Sequence, residues 1–428
     1  MKLLIDTSGV FKIIPIIALI VAVVGAILAY LRYQYTRKKA KCEKSEQEFK
    51  DCRRYLSRNR QELVRDILAA LYKNHELEPN IPLLFNDRWF PKKPLPLQGV
   101  EIALHNHEES TYTPLNCEKI LPYANIWNRY SKYSDAIREI DQPQLFTDLV
   151  SYRLMGIETS KGIMMHFGKC SYFDYINTGE VLCYELARRK FLHEEKKRQK
   201  KEFNIKMLSV RDQVRDPFDF QNRAVIPGIN TLTICEDQND LRFYMHSREV
   251  GKVAAAMGTF HVVPAGEFQP ATDNPHDIKN DFSIWKNIMR EYNEEFLNAP
   301  TGEQTGKSPD YENEEPYSSL NLALNNGDLR VLFLGVGLDP LSLKAEILTV
   351  CIFKQNVFSE IFKKMTGKDN EGILIMGKNN KGIPFTEKNV ETYVHDKRIL
   401  SAAIGCLVLA WHHKDYLFEK KQKNISDQ

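Results

Sequence analysis

The stretch IWKNIMREYNEEFL, residues 284–297, predicts an amphipathic helix that carries three glutamates close together. On a helical wheel that starts at its first residue, the apolar side chains cover an arc of about 140°, and Glu295 falls inside that arc at about 20°. Glu291 borders the arc at about 340°, and Glu294 lies further out at about 280°. Carboxylates at the edge of a core need a compensating positive charge. That charge would come from Arg290, at i, i+4 to Glu294, and from a bound divalent cation. The alternative is a surface helix whose glutamates extend into water.

The N-terminal region contains an uncharged apolar segment, IIPIIALIVAVVGAILAYL, at residues 13–31. Its 19 residues would span about 28 Å as a helix, close to the hydrocarbon thickness of a bilayer. The residues after the segment are basic, with Arg32, Arg37, Lys38, Lys39 and Lys41. By the positive-inside rule this predicts a single-pass anchor in the cell inner membrane with the C-terminal side in the cytoplasm. A cleaved signal peptide is the alternative, but the basic flank lies on the wrong side for one.

The composition is that of a globular protein, with 428 residues, 43% hydrophobic and 27% charged. The formal net charge of +3 excludes a protein that binds nucleic acid through its overall charge. Eight cysteines without CxxC spacing favour reduced thiols over disulfides or a zinc site.

The chain divides into an anchor at residues 1–33, a helical stalk at 34–78, a middle region at 79–205, a domain at 206–418 that contains the glutamate helix, and a polar tail at 419–428. Residues 34–74 lack proline and glycine and read as one helix. This helix is interpreted either as a self-association stalk or as a solvated spacer.

Strand patterns surround the glutamate helix. We predict strands at 223–235, 241–248, 259–268, 329–338 and 344–354, and a closing apolar helix at 400–414. The third strand is expected to run into a Pro-Ala-Gly turn. Asp281 and Ser283 are the candidate N-caps of the glutamate helix. Strands, a helix, more strands and a final helix predict an α/β or α+β domain with a mixed sheet.

Residues 290–297, REYNEEFL, resemble the REUxEExGU half of the Nudix box, and VVPAGEF at 262–268 resembles the strand and glycine turn that open it. In that family the helix binds Mg²⁺ or Mn²⁺, which activates water against a nucleoside diphosphate derivative. The resemblance implies that Glu291, Glu294 and Glu295 are metal ligands or the base, and that Arg290 orients Glu291. Gly266 would be the loop glycine of a nucleotide site.

Two further residues are nucleotide-binding candidates: His261, in the strand that enters the glycine turn, and Arg248, at the end of the preceding strand. The sequence also departs from the family pattern. Gly266 and Arg290 are 24 positions apart, further than in the Nudix box, and Leu297 stands where the box has glycine. The resemblance therefore implies the fold more firmly than it implies hydrolysis.

The whole chain resembles the transmembrane-Nudix effectors of bacterial cyclic-oligonucleotide anti-phage signalling (CBASS). The resemblance rests on the lone span and on three motifs, W-x-P…P-x-PL from Trp89, YSxYSxA at 130–136 and FGKxSYFDY at 167–175. It implies a homo-oligomeric effector that senses or processes a cyclic or other nucleotide, binds no nucleic acid, and disrupts the bilayer when activated. The alternatives are a membrane-tethered, Mg²⁺-dependent Nudix pyrophosphohydrolase and an inactive Nudix-fold scaffold.

Two pairs of histidines remain. His105 and His107 are expected to be exposed loop residues, with a metal site as the alternative. His412 and His413 are expected at the end of the last helix, where the helix dipole favours them.

Overall fold

The computed structural model describes residues 8–73, 81–105, 112–144, 146–195, 203, 205, 207–238, 240–248, 259–300, 302–368, 372–377 and 381–418, with side chains in the first helix from residue 17. The tail at 419–428 and His107 lie outside these ranges. The helices, in chain order, are α1 (Ser8–Leu71), α2 (Tyr133–Ile140), α3 (Tyr172–Tyr175), α4 (Val181–Glu195), α5 (Pro275–Asn280), α6 (Ile284–Leu297), α7 (Gly302–Thr305), α8 (Tyr317–Asn325), α9 (Gln355–Ile361), α10 (Glu387–Val394), α11 (Ser401–His412) and α12 (Lys414–Phe418). A π-helical turn, Ile176–Glu180, joins α3 to α4.

The strands form three sheets. They are β1 (Leu95–Pro96), β2 (Glu101–Leu104), β3 (Val150–Glu158), β4 (Met164–Ser171), β5 (Gly228–Asp237), β6 (Asp240–Phe243), β7 (Met245–Arg248), β8 (Phe260–Val262), β9 (Ala265–Glu267), β10 (Leu329–Leu338), β11 (Ala345–Lys354), β12 (Gly372–Ile375) and β13 (Ile383–Pro384). The largest sheet has the order β1-β10-β11-β5-β6-β13, with β9 also paired to β5. The smaller sheets are β12-β7-β8 and β2-β4-β3. The predicted mixed α/β architecture is therefore confirmed, because β11 and β5 run parallel and β10 and β11 antiparallel.

The central strands β5, β10 and β11 are almost wholly buried, as their apolar sequences require. Their alternating side chains enter two cores. Ile347 and Cys351 of β11 pack in the core that contains α6, whereas Leu348 and Val350 pack in the core that contains α11. The sheet thus separates the glutamate helix from the closing helix, which is confirmed at Ser401–His412.

Helix α1 combines an exposed apolar half with a half that packs into the protein. One helix of the described residues is long and apolar enough to cross a membrane by length and composition, and its apolar window has no buried residue. Further along, seven side chains between positions 49 and 68 are buried in the larger core: Phe49, Cys52, Leu56, Leu63, Val64, Ile67 and Leu68. The solvated-spacer interpretation is wrong for this half of the helix, because it packs against α4.

The backbone of α1 is not uniform. Asn59 has non-helical angles, φ −117° and ψ 16°, and its side-chain amide donates to the Tyr55 carbonyl at 2.9 Å. The kink divides the helix inside its buried half, one residue before the buried Arg60.

Two strand expectations need correction. Residues 241–248 form two strands in different sheets, because Tyr244 interrupts them and β7 pairs with β8 and β12. The expected Pro-Ala-Gly turn is also wrong, because Ala265 and Gly266 belong to β9 and pair with Asn230 and Ile229 of β5. This pairing holds Gly266 within the sheet.

Candidate functional site

Helix α6 begins where the sequence predicts. The hydroxyl of Ser283 accepts the backbone N–H of Lys286 at 3.3 Å, so Ser283 is the N-cap. Asn298, in the left-handed conformation at φ 54°, ends the helix and donates its backbone N–H to the Asn293 carbonyl. Asparagine tolerates this conformation, so the helix can end there without the glycine of the Nudix box.

Gly266 and Glu291 are in close contact. A Cβ atom at position 266 would lie 2.1 Å from Oε1 and 2.4 Å from Oε2 of Glu291. A glycine is therefore needed for the half-buried Glu291 carboxylate to occupy its position against β9. The amide of Asn287 also donates to Glu291 Oε1 at 3.4 Å. The structure thus brings two candidate site residues together, although Gly266 lies in strand β9 and not in a loop.

Glu295 is buried, as its place inside the apolar arc predicts, with 4% of its surface exposed. Its Oε2 accepts the backbone N–H of Ala265 at 3.1 Å. Its Oε1 lies 3.9 Å from Nδ1 of the fully buried His246. The backbone N–H of Ala265 therefore compensates part of the cost of burying this carboxylate, and the His246 imidazole lies beside it. Its predicted role as a metal ligand remains a prediction.

His246 is the residue that sequence reasoning missed. It lies on β7, directly opposite His261 on β8, and both histidines are buried. His261 was a nucleotide-binding candidate, and the register places it opposite His246, whose imidazole lies 3.9 Å from Glu295. The pattern of residues 241–248 does not predict the position of His246, because it predicts a single strand. The structure has two strands here, which Tyr244 separates and which belong to different sheets.

Arg290 is buried and has partners other than the expected one. Its ion-pair partner is Asp281, with Nη1 to Oδ2 at 3.6 Å, rather than Glu294. It donates to the Tyr311 hydroxyl at 2.8 Å, to Asn287 Oδ1 at 2.9 Å and to the Gln269 carbonyl. Burial lowers the pKa of Arg290, but Tyr311 and Asp281 oppose it, and the pKa lies above its usual value. The pairing with Glu294 is wrong because the side chain turns towards the segment before α6.

Asp281 is the centre of this network. It is fully buried and accepts the Ala271 N–H at 2.8 Å, the Tyr311 hydroxyl at 2.9 Å and the Ser308 hydroxyl at 2.5 Å. Its role is to fix Arg290, and Ser283 takes the N-cap position that was also considered for it. The segment between Gly266 and Arg290 is therefore attached to α6 through Asp281.

Glu294 is partly exposed on α6, and Arg248 ends β7, where it pairs with Gly372. The side chain of Arg248 is outside the described part of the structure. The positions of both residues leave their predicted roles untested.

The fit of these residues to a metal ion is incomplete. Among the described residues, no three or more His, Cys, Asp or Glu side chains are arranged to hold one. Both Glu295 oxygens already face protein groups, an N–H and an imidazole nitrogen. Mg²⁺ binding stays a proposal for Glu291 and its neighbours, and we derive no step through the metal.

A second polar cluster lies across the sheet from α6, on β5, β9 and β11. Glu346 accepts the amide of Asn230 at 2.8 Å, and Lys344 donates to Glu267 at 2.7 Å. Burial raises the pKa of Glu346 to about 7, against the opposing effects of Lys344 and Asn230. Glu346 also packs over Gly228, where a Cβ would lie 2.3 Å from Oε2.

His105 is half-buried, so its expected full exposure is wrong. Its Nε2 lies 2.9 Å from Nδ1 of His166, whose Nε2 is 3.2 Å from Glu158 Oε1. His412 and His413 end α11 as expected, and α12 follows them.

The comparisons with known proteins identify no family. No protein-family model matches the chain, and none of the curated proteins compared with it matches either. The functional argument therefore rests on the residues and contacts described above.

Proposed function

We propose that this protein is a membrane-anchored effector whose cytoplasmic Nudix-like domain binds a nucleotide and transmits that binding to its membrane helix. A cyclic oligonucleotide is the candidate ligand, and the inner membrane of a bacterial cell is the proposed location. Anti-phage defence of the CBASS type is the proposed role, as the resemblance implies. Activation would disrupt the bilayer in a homo-oligomeric assembly.

The continuity of α1 carries the proposal. The same helix supplies the apolar segment and, from residue 49 onwards, seven buried apolar side chains of the folded core. Before the kink at Asn59, α1 runs without interruption from the apolar segment into the core, so a rearrangement in the domain would displace the span directly. A flexible linker would not couple them in this way.

The site on α6 supports nucleotide binding through its exposed charge. Glu291 and Glu294 are partly exposed on α6, and the Glu291 carboxylate lies against the backbone of β9 at Gly266. A phosphate group would be repelled by Glu291 and Glu294 unless a cation accompanied it. We therefore expect binding of the nucleotide to depend on a divalent cation.

The direct test is calorimetry on the full chain in detergent micelles, with a panel of cyclic oligonucleotides and with or without Mg²⁺. The full chain is needed because a fragment that began at residue 75 would lose the buried half of α1. We expect Glu291→Gln to abolish Mg²⁺-dependent binding, and Glu360→Gln, an exposed glutamate on α9, to leave it unchanged. Absence of binding across the panel would refute the proposal.

A membrane-tethered pyrophosphohydrolase is the second candidate. One observation favours it: Arg290, Glu291, Glu294 and Glu295 lie on a single helix, with Glu291 packed against Gly266. Product formation from nucleoside diphosphate derivatives would test this candidate. Hydrolysis that survives Glu294→Gln combined with Glu295→Gln would rule these residues out. A chain that neither binds nor hydrolyses would be the inactive scaffold.

A further inference from the structure

The residues around Trp127 form a small, hydrogen-bonded loop that projects a large aromatic side chain into solvent. We define the Trp127 loop as residues 122–130. The backbone N–H of Ala124 donates to the Asn128 carbonyl at 2.9 Å and closes the loop. The side-chain Oδ1 of Asn125 accepts the backbone N–H of Trp127 at 2.9 Å. Trp127 is nevertheless 70% exposed. A fixed loop therefore holds an indole outside the core.

This loop is attached to α1 beside its basic segment. The Tyr123 N–H donates to the Ser45 hydroxyl at 3.1 Å. The ammonium of Lys38 lies 3.4 Å from the centre of the Trp127 ring, and that of Lys41 lies 4.9 Å from the Tyr123 ring. These contacts fix the height of the loop along α1.

That height is close to the end of the apolar segment. Lys38 is seven residues beyond Leu31, about 10 Å along a helix. The headgroup layers add about 10–15 Å in total to a hydrocarbon layer of about 30 Å. Each leaflet therefore has a headgroup layer of about 5–7 Å. If α1 crosses a bilayer with Leu31 at the edge of the hydrocarbon, the Cα of Lys38 lies a few ångströms beyond that layer, and its side chain, which leans towards the helix N-terminus, brings the Trp127 ring to the edge of the headgroups.

The chemistry of the loop suits that position. Tryptophan is enriched at membrane interfaces because its ring is apolar and its N–H is polar. Lysines and arginines next to a span attract the anionic lipids of the cytoplasmic leaflet. Lys38 lies over Trp127, and Lys41 of α1 and Arg129 of the loop lie over Tyr123, so both aromatic rings carry positive charge next to them.

We propose that the Trp127 loop is a second membrane contact, which inserts Trp127 among the headgroups of an anionic bilayer while Lys38 and Lys41 bind lipid phosphates. The proposal rests on the membrane anchoring of α1. With this second contact, the folded domain is held against the bilayer at two points, α1 and the Trp127 loop.

The test is tryptophan emission of the full chain in phosphatidylcholine vesicles with and without phosphatidylglycerol, using a brominated phospholipid as the quencher. Trp127 is the exposed tryptophan, since Trp89 is buried and Trp285 and Trp411 are partly buried. We expect the brominated lipid to reduce the tryptophan emission of the wild-type chain. Most of this reduction should be absent in Trp127→Phe. Trp411→Phe is the matched control, because Lys414 covers that ring in the same way at 3.9 Å.

A second pair of variants tests the lipid charge. Lys38→Gln with Lys41→Gln should remove the additional quenching that phosphatidylglycerol produces. Lys44→Gln, an exposed lysine further along α1, should not. Flotation with the vesicles distinguishes the anchoring of α1 from the membrane contact of the Trp127 loop. A chain that floats with equal quenching in the wild type and Trp127→Phe overturns the loop proposal alone. A second copy of the chain that covers Trp127 would also give equal quenching, and the loop proposal would be wrong in that case too. A chain that does not float overturns the anchor and the loop together.

Discussion

Arg60 of α1 and Glu180 of the π-helical turn form a buried ion pair, with Nη1 3.3 Å from Oε1 and no more than 10% of either side chain exposed. The sulfur of Cys183, on α4, also accepts a hydrogen bond from Arg60 at 3.8 Å. Oε2 of Glu180 accepts no hydrogen bond within the described residues. This contact is one of several ion pairs that join α1 to the folded domain, together with Arg53–Asp141 and Arg188–Glu48, and it is the most deeply buried of these three. It follows the kink at Asn59 by one residue.

Removal of one partner of this pair should destabilise the protein strongly. Arg60→Met alone would leave the Glu180 carboxylate buried without its counter-charge, at a cost of about 3–5 kcal/mol in the free energy of unfolding. Glu180→Met together with Arg60→Met should recover much of that loss, because no unpaired charge remains. Chemical denaturation of the full chain in detergent measures both values.

Arg54→Met is the control for that experiment. Arg54 lies on the same helix and pairs with Asp51, but more than half of its side chain is exposed. The variant should change the free energy of unfolding by no more than about 0.5 kcal/mol. Equal effects of Arg54→Met and Arg60→Met would contradict a special role for the buried pair.

Gly266 and Glu291 should be energetically coupled. The Cβ of Gly266→Ala would collide with the Glu291 carboxylate, which must then rotate away from β9. In a Glu291→Ala background the collision is absent, so the substitution at 266 should cost less. We expect a coupling energy of about 0.5–3 kcal/mol in a double-mutant cycle, measured by denaturation. Additive effects of the two changes would show that the contact is not maintained in solution.

Asp281 should matter more for stability than its place in a loop suggests. Asp281→Ala removes the charge partner of buried Arg290 and the acceptor of four hydrogen bonds, and we expect a loss of about 3–5 kcal/mol. Lys363→Gln breaks an exposed pair with Glu360 and should be nearly neutral. If Asp281→Ala also proved neutral in denaturation, the proposed attachment of the inserted segment to α6 would be wrong.

The stability of the protein should fall as the pH rises from about 4.5 to 7. The folded-state pKa of Glu346 is about 7, raised from 4.5 by burial, so the folded chain binds the proton more tightly than the unfolded chain. The contribution is complete below pH 4.5 and is lost as the pH rises through 7, at up to about 1.4 kcal/mol per pH unit. Glu346→Gln should remove this part of the profile. An unchanged profile in denaturation at pH 5 and pH 8 would contradict it.

Much of the sheet and the glutamate helix follow from local sequence patterns. The strands β10 and β11 begin and end within one residue of the predicted ranges because apolar runs with clear boundaries define them. The position of Glu295 inside the helical arc predicted its burial, and Ser283 is the N-cap because its side chain can accept from the first turn. These features depend on neighbours a few residues apart.

The remaining features depend on contacts between distant segments. No local pattern indicates that residues 49–68 pack on α4. Nor does one indicate that His246 lies opposite His261 in the β7–β8 register, or that Arg290 forms its ion pair with Asp281 and not with Glu294. The basic and acidic residues that flank the buried positions of α1 made the helix resemble a spacer. Tertiary packing overrides that local impression.

The central claim is that nucleotide binding in the folded domain changes the state of the membrane helix. The most direct measurement is dye release from proteoliposomes that contain the full chain, on addition of a panel of cyclic oligonucleotides with Mg²⁺. We predict release with at least one ligand in the wild type, and none in Glu291→Gln, while Glu360→Gln behaves as the wild type. Vesicles that stay intact with every ligand, although calorimetry shows that one of them binds, would contradict the claim.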